Sequence, residues 1–283
     1  MRILITGANG MLGRTLQRKL SGHALIPADL PDGDITDEGK FDALVMRERP
    51  DAVIHCAAMT AVDDCESKRD LAFRINALGS ANVAAACNRH GVRLIAISTD
   101  YVFDGSSPRP YTEFDRATGG ATVYGQSKFA GEEMIRRHCP NHVICRISWL
   151  YGPGGPSFVH TMLKLADGSR PELKVVDDQR GNPTSTHAVA DALARILDRP
   201  LLVGTFHLTC EGEASWHEFA CEIFRQRGIV QKVTPCTTAD FPRPAPRPAN
   251  SRLEKQMLRL CGLPPMPEWR DALREFLNQE GEL

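Results

Sequence analysis

No C-x-x-C pair occurs anywhere in the 283-residue chain, and its nine cysteines (56, 65, 87, 139, 145, 210, 221, 236 and 261) are odd in number. A disulfide framework and a zinc site are therefore not expected, and the thiols read as reduced residues of a cytoplasmic protein. Nor does charge of one sign dominate. The 34 basic and 35 acidic residues nearly cancel, so no overall field would hold the chain on nucleic acid or an anionic membrane, and charged ligands must be met by local groups. No apolar run approaches the roughly 20 residues that cross a bilayer. The first strand-like run, Arg2-Ile3-Leu4-Ile5-Thr6, begins at once and leaves no room for the segments of a signal peptide. No internal repeat is present.

What is there reads as an ordinary globular protein, 42% hydrophobic and 24% charged, with enough chain to bury a full core. Short apolar runs at Arg2–Thr6, Ala24–Ala28, Ala52–His55, Arg93–Ile97 and Val143–Ile147 alternate with stretches of helical period after Met11, Thr36, Ser67 and Thr122. That alternation is the pattern of βαβ units around a parallel sheet whose strands are buried on both faces. Thr36, before Asp37-Glu38, is a plausible N-cap. Beyond about residue 150 glycine and proline loops separate shorter elements, as in Gly152-Pro153-Gly154-Gly155-Pro156 and from Phe241 to Pro248.

Gly7-Ala8-Asn9-Gly10-Met11-Leu12-Gly13 follows the first strand and opens the first helix, which is the context a dinucleotide fingerprint requires. The glycines permit a tight turn and close backbone approach, so a pyrophosphate can sit on free N–H groups at a helix N-terminus. The expected fold is thus α/β, a Rossmann-type doubly wound parallel sheet over residues 1–150, with a smaller, mainly substrate-binding region over 151–283. The helical stretch near 187–197 is expected to pack back on the sheet. Asp29 ends the second strand, where a carboxylate accepts hydrogen bonds from the adenosine ribose and favours NADH; a basic residue such as Arg14 would instead receive the 2′-phosphate of NADPH. Asp34-Ile35 either flanks the adenine or is a plain surface loop.

Tyr124-Gly125-Gln126-Ser127-Lys128 is a Y-x-x-x-K at the start of a helical segment, which puts both side chains on one face. A phenol near pKa 10 exchanges protons poorly at neutrality, and a nearby ammonium is expected to lower that value, making a poised acid. Ser98-Thr99-Asp100-Tyr101 follows the fourth strand at the carboxyl edge of the sheet. A hydroxyl there either stabilises a developing alkoxide beside Tyr124 or caps the strand end.

Together these features resemble the extended short-chain dehydrogenase/reductases. Cys56-Ala57-Ala58-Met59-Thr60-Ala61-Val62-Asp63 is similar to the N-A-A-x-T-A-V-D segment of dTDP-4-dehydrorhamnose reductases, with Cys56 at the Asn, and Ser98 to Phe103 repeats their fourth-strand motif. The stretches 146–151, 178–184, 204–208 and 247–253 also resemble that family, so the likeness spans essentially the whole chain. It implies an oxidoreductase that reduces the 4-keto group of dTDP-4-dehydro-β-L-rhamnose with NADPH or NADH, for nucleotide-sugar and surface polysaccharide synthesis. By the resemblance Tyr124 is the proton donor, Lys128 supports it and binds the nicotinamide ribose, and Thr99 tunes the carbonyl. Asp100 and Trp149 would contact the deoxysugar, and the cofactor would touch Gly10, Met11, Leu12, Asp29, Asp34, Ile35, Ala58, Met59, Thr60 and Ile97.

Trp149 by itself either stacks on a sugar or fills the core. Arg247 reads as a bidentate donor to the diphosphate and as part of an extended proline-rich linker, two readings that are compatible. Some members of the family dimerise through a magnesium site built from two Glu residues; Thr15 and His187 stand at those places here, which argues against a metal and leaves monomer and homodimer open. Rival readings are an epimerase or reductase of another dTDP-4-keto sugar, and a non-catalytic binding protein like the regulatory subunit of methionine adenosyltransferase. A 4,6-dehydratase would carry Asp-Glu after the catalytic Thr, where this chain has Asp100-Tyr101.

Overall fold

The computed structural model describes residues 1–280. Its first half runs β1 (Arg2–Thr6), α1 (Met11–Lys19), β2 (Ala24–Ala28), α2 (Glu38–Glu48), β3 (Ala52–His55), α3 (Val62–Ser67), α4 (Arg69–Phe73), a π-helical turn (Arg74–Gly79), α5 (Ser80–Arg89), β4 (Arg93–Thr99), α6 (Val123–His138) and β5 (His142–Ile147). The second half adds β6 (Leu150–Tyr151), α7 (Phe158–Leu165), β7 (Glu172–Val176), β8 (Arg180–Gly181), β9 (Thr184–Ser185), α8 (Thr186–Leu197), β10 (Gly204–His207), β11 (Ala214–Ser215), α9 (Trp216–Arg227), β12 (Lys232–Cys236), α10 (Gln256–Leu260) and α11 (Trp269–Glu280).

Six parallel strands form the central sheet in the order β10-β5-β4-β3-β1-β2. This is the expected doubly wound arrangement. Alternating residues feed two layers: Ile3, Ile5, Ile54, Ile95 and Phe206 pack with α1, α8 and the C-terminal helices, whereas Leu4, Val53, Leu94 and Ile144 pack with α2 and α5. One strand and one covering helix come from beyond residue 150, since β10 pairs with β5 and α8 packs on α1. The smaller pairs β7–β12, β8–β11 and β6–β9 stand beside this sheet. Among the described residues no helix is long and apolar enough to cross a membrane.

Two local expectations are corrected. Strand β2 is an edge strand, not one buried on both faces; Ala24 and Pro27 are exposed, and the edge tolerates a proline that cannot donate to a neighbour. Helix α2 is capped by Asp37, whose Oδ1 accepts from Lys40 N at 3.0 Å, while the N–H and hydroxyl of Thr36 both donate to Asp34 Oδ1. The turn at Asp34 delays the helix by one residue.

Phe206 on β10 is fully buried among residues of the central sheet. Phe206→Ala should lose about 3–5 kcal/mol in urea unfolding. A loss under about 1 kcal/mol, the range of an exposed side chain, would mean that β10 is not part of this core.

Candidate active site

A cleft of about 830 Å³ opens at the carboxyl ends of β1, β3, β4 and β5, where strand order reverses around β1. Its phosphate end is built by the loop after β1. Gly7 has φ 65°, and a Cβ there would stand 2.8 Å from Ala57 N; at Gly13 a Cβ would be 2.3 Å from Gly7 O. Only glycine lets the loop lie this close to the end of β3 and to itself. Gly10 caps α1 without any side-chain acceptor, which leaves the first-turn N–H groups to an anion. Asp29 is fixed across this loop, its Oδ2 accepting from Asn9 N at 2.9 Å and its Oδ1 from Leu30 N at 3.0 Å. A dinucleotide fits this cradle.

Of the expected cofactor residues, Gly7, Gly10, Met11, Leu12, Gly13, Asp29, Asp34, Ile35, Ala58, Thr60, Ile97, Tyr124 and Lys128 line the cleft. Asn9 and Met59 do not. Asn9 gives its N–H to Asp29, and its carbonyl accepts from Arg14 Nε at 2.8 Å; Met59 is held at both main-chain groups by Asn76.

The reactive end is made by three successive residues of β4 facing one side of α6. Thr122 caps α6 by accepting from Gly125 N at 3.0 Å. Tyr124, the second residue of the helix, is buried beside Thr99, with the Tyr101 ring edge-on at 5.5 Å. Lys128 donates to Ile97 O at 2.8 Å. Glu132 accepts from Ser98 Oγ at 2.6 Å, from Arg146 through Nε at 2.9 Å and Nη2 at 2.7 Å, and from Arg136 Nη2 at 2.8 Å.

The charge states follow from burial. Desolvation pushes the Tyr124 phenol above its ordinary value, with the Thr99 hydroxyl as the opposing influence. Burial outweighs the lowering expected from Lys128, whose ammonium is hydrogen-bonded to the Ile97 carbonyl. Lys128 itself is brought down to about 8 by burial, resisted by the negative charge of Glu132. Glu132 is held near 2 despite its burial, because Arg146 and Arg136 face it. Asp100 rises to about 6 through desolvation, opposed by the Ser251 and Thr99 hydroxyls, the latter donating to its Oδ1 at 3.0 Å. Cys56 is pushed up to about 12 and stays a neutral thiol. His55, hydrogen-bonded to Thr6 and Ser80 and lowered to about 3, stays a neutral imidazole.

Thr99, Asp100 and Trp149 line the cleft, and Arg247 does not. Arg247 instead pairs with Asp63 at 2.8 Å and donates to Ala245 O. Its neighbour Ala245 also donates to Asp63, so this proline-rich stretch is docked on α3 rather than acting as a free linker. Sequence reasoning missed Glu132, Arg146 and Asn76. A Glu four residues after Lys128 was the available sign, and nothing in a Gly-Glu-Glu stretch marks which carboxylate is buried.

A model of the RmlD substrate binding domain matches residues 1–281. A dTDP-4-dehydrorhamnose reductase of Streptomyces griseus is 43% identical, the match covering 97% of this chain and 92% of that protein. Among solved structures, a dTDP-4-dehydrorhamnose reductase of Clostridium acetobutylicum superposes with a TM-score of 0.96 at 47% identity, covering 99% of this chain and 100% of that one. Another, of Bacillus anthracis and in complex with NADP, has a TM-score of 0.95 at 40% identity, covering 98% and 99%. The chain belongs to the dTDP-4-dehydrorhamnose reductase family.

In this family member the two places expected for a metal are taken by other contacts. Thr15 is buried, its hydroxyl donating to Met11 O and sharing a hydrogen bond with Thr186 Oγ1 at 2.9 Å, and His187 is half-buried on α8 near Lys19 and Asp191. Among the described residues no cluster of three or more His, Cys, Asp or Glu could hold a metal ion.

Glu132→Ala would strand the Arg146 guanidinium, which is itself buried against β4 and Phe103. It should cost about 3–5 kcal/mol in chemical unfolding, as removal of one partner of a buried pair does. A cost within the range of a surface ion pair, about 1 kcal/mol or less, would contradict the network.

Proposed function

We propose that this reductase-family chain reduces the 4-keto group of dTDP-4-dehydro-β-L-rhamnose to dTDP-L-rhamnose with NADPH or NADH, in nucleotide-sugar and polysaccharide synthesis. One observation carries the reading: a single cleft runs from a pyrophosphate cradle to Tyr124, Lys128 and Thr99 and ends at Trp149. Residues 1–150 hold most of the cofactor region, and residues 151–283 contribute mainly to the substrate end. Tyr124, Lys128 and Thr99 are the proposed catalytic set, and Asp100 and Trp149 the proposed sugar contacts. Arg247, paired with Asp63 at 2.8 Å, stays the proposed diphosphate contact.

When bound, the reduced nicotinamide supplies the hydride that C4 of the sugar receives. Everything else falls to the protein. Burial keeps the Tyr124 phenol protonated, as a proton donor must be, until negative charge develops on the sugar oxygen. The phenol proton then passes to that oxygen, which the Thr99 hydroxyl also meets. The Lys128 ammonium, held against β4, favours the phenolate so formed. Asp29 takes the adenosine ribose, and the NADP of the Bacillus anthracis relative supports acceptance of the 2′-phosphate form as well. We place the enzyme in the cytoplasm, as a monomer or homodimer that uses no metal.

Mixing the protein with NADPH and dTDP-4-dehydrorhamnose should bleach the reduced-nicotinamide absorbance; a binding subunit would leave it unchanged. Tyr124→Phe should keep NADPH affinity and lower turnover at least a hundredfold, toward the upper range of acid catalysis. A variant that keeps most of its rate rejects Tyr124 as the donor. The pH profile has a definite sign. Lys128 is an ammonium below about 8 and neutral above it, so kcat/KM should fall as pH rises through about 8, with no gain from phenol ionisation in that range. A rate that climbs between pH 8 and 9.5 would contradict this assignment.

A further inference from the structure

Trp149 stands just after β5 with φ 47°, in the left-handed region where a bulky side chain is strained. Such a conformation persists only when the surroundings over-determine it, and here three contacts do so. The indole is stacked on Trp216, the first residue of α9, with ring centroids 3.5 Å apart and planes 8° from parallel. Gly181 of β8 lies against the same indole, and a Cβ on it would come within 2.4 Å of Trp149 Cε2. The Trp149 carbonyl accepts from Thr184 N at 3.2 Å.

Trp216 is anchored in turn. Its Nε1 donates to Gln179 Oε1 at 3.0 Å, Gln179 Nε2 donates to Thr238 Oγ1 at 2.9 Å, and the Phe158 ring leans on it at 4.6 Å. Trp149 lines the cleft, whereas Trp216, Gly181 and Gln179 do not. A tryptophan that only filled the core would need neither the strained backbone nor the missing Cβ opposite it.

We propose that Trp216 and Gly181 are positioning residues that clamp Trp149, so that its uncovered part forms the apolar wall for the methyl-bearing face of a 6-deoxyhexose. This rests on the reductase reading above. A deoxysugar turns C–H groups and a methyl toward one side, and an indole edge fixed in place meets that surface without losing side-chain freedom at each binding event. Released from the stack, Trp149 relaxes toward negative φ and the wall moves. Trp216 and Gly181 act only through Trp149, so their effect falls on the sugar and not on the dinucleotide, whose pyrophosphate and adenosine bind at the opposite end of the cleft.

The test uses Trp216→Leu, Gly181→Ala and the conservative Trp216→Phe. Sugar affinity is read by calorimetry with dTDP-L-rhamnose and by KM, cofactor affinity by NADPH fluorescence, and the stack by the near-UV circular dichroism couplet of the paired indoles. Trp216→Leu and Gly181→Ala should each weaken sugar binding about tenfold, the upper range for one aromatic contact. NADPH affinity should stay unchanged, the couplet should vanish in Trp216→Leu, and Trp216→Phe should keep most of the sugar affinity. A cooperatively melting Trp216→Leu that binds the sugar as wild type does overturns the clamp, as does an equal fall in NADPH affinity. If Trp216→Leu does not fold, Gly181→Ala decides on the same criteria. Wild-type protein that binds no dTDP-L-rhamnose overturns the reductase reading and the clamp together, whereas wild-type binding with indifferent variants sinks the clamp alone.

Discussion

The buried carboxylate of Glu132 is the constraint on which the reactive end of the molecule depends. A charge at this depth costs several kcal/mol of lost solvation, and it persists because four charge-assisted or hydroxyl hydrogen bonds converge on it. Those bonds join α6 to both β4 and β5. With the helix so fixed, positions 124, 128 and 132, one turn apart, meet Thr99, Ile97 and Ser98 in a single register. Proton donor, ammonium and polarising hydroxyl thus sit on a rigid helix and strand rather than on loops, which is what a reaction sensitive to ångström-scale placement requires.

The same burial sets the chemistry. Burial holds the phenol protonated and brings the lysine down toward neutrality, so the two groups differ in the sense a donor and its supporting cation need. Neutral His55 ties the ends of β1 and β3 through Thr6 and the helix behind them through Ser80, keeping the glycine loop and the Ala57-Ala58 turn in contact. At the other end, Asn182 accepts from Leu253 N and donates to Gly212 O, and its carbonyl accepts from Ser148. Segments far apart in the chain therefore meet beside the residue that precedes Trp149.

Much of this was legible beforehand where the physics is local. Strands of nearly pure Ile, Val and Leu separated by helical periods have few alternatives, and the boundaries of β1, β2 and β3 coincide with the apolar runs. β10 was not readable as a strand of the sheet, because Gly204-Thr205-Phe206-His207 is short and half polar and owes its place to pairing with β5. The cap of α2 moved from Thr36 to Asp37 because a side-chain turn at Asp34 competed for the hydroxyl. Helical spacing makes Lys128 a tuner of Tyr124, but spacing carries no information about desolvation, which sets the direction for both groups.

The sequence by itself determined that a glycine loop would stand at the end of the first strand and that Tyr124 and Lys128 would share a helix face. Chain geometry dictates both over fewer than ten residues. Only the tertiary structure decided which carboxylate anchors that helix, that Arg247 is engaged by Asp63, and that Trp149 is held against Trp216. Each of these joins residues from separate parts of the chain, and each depends on burial, which exists only once the layers have closed.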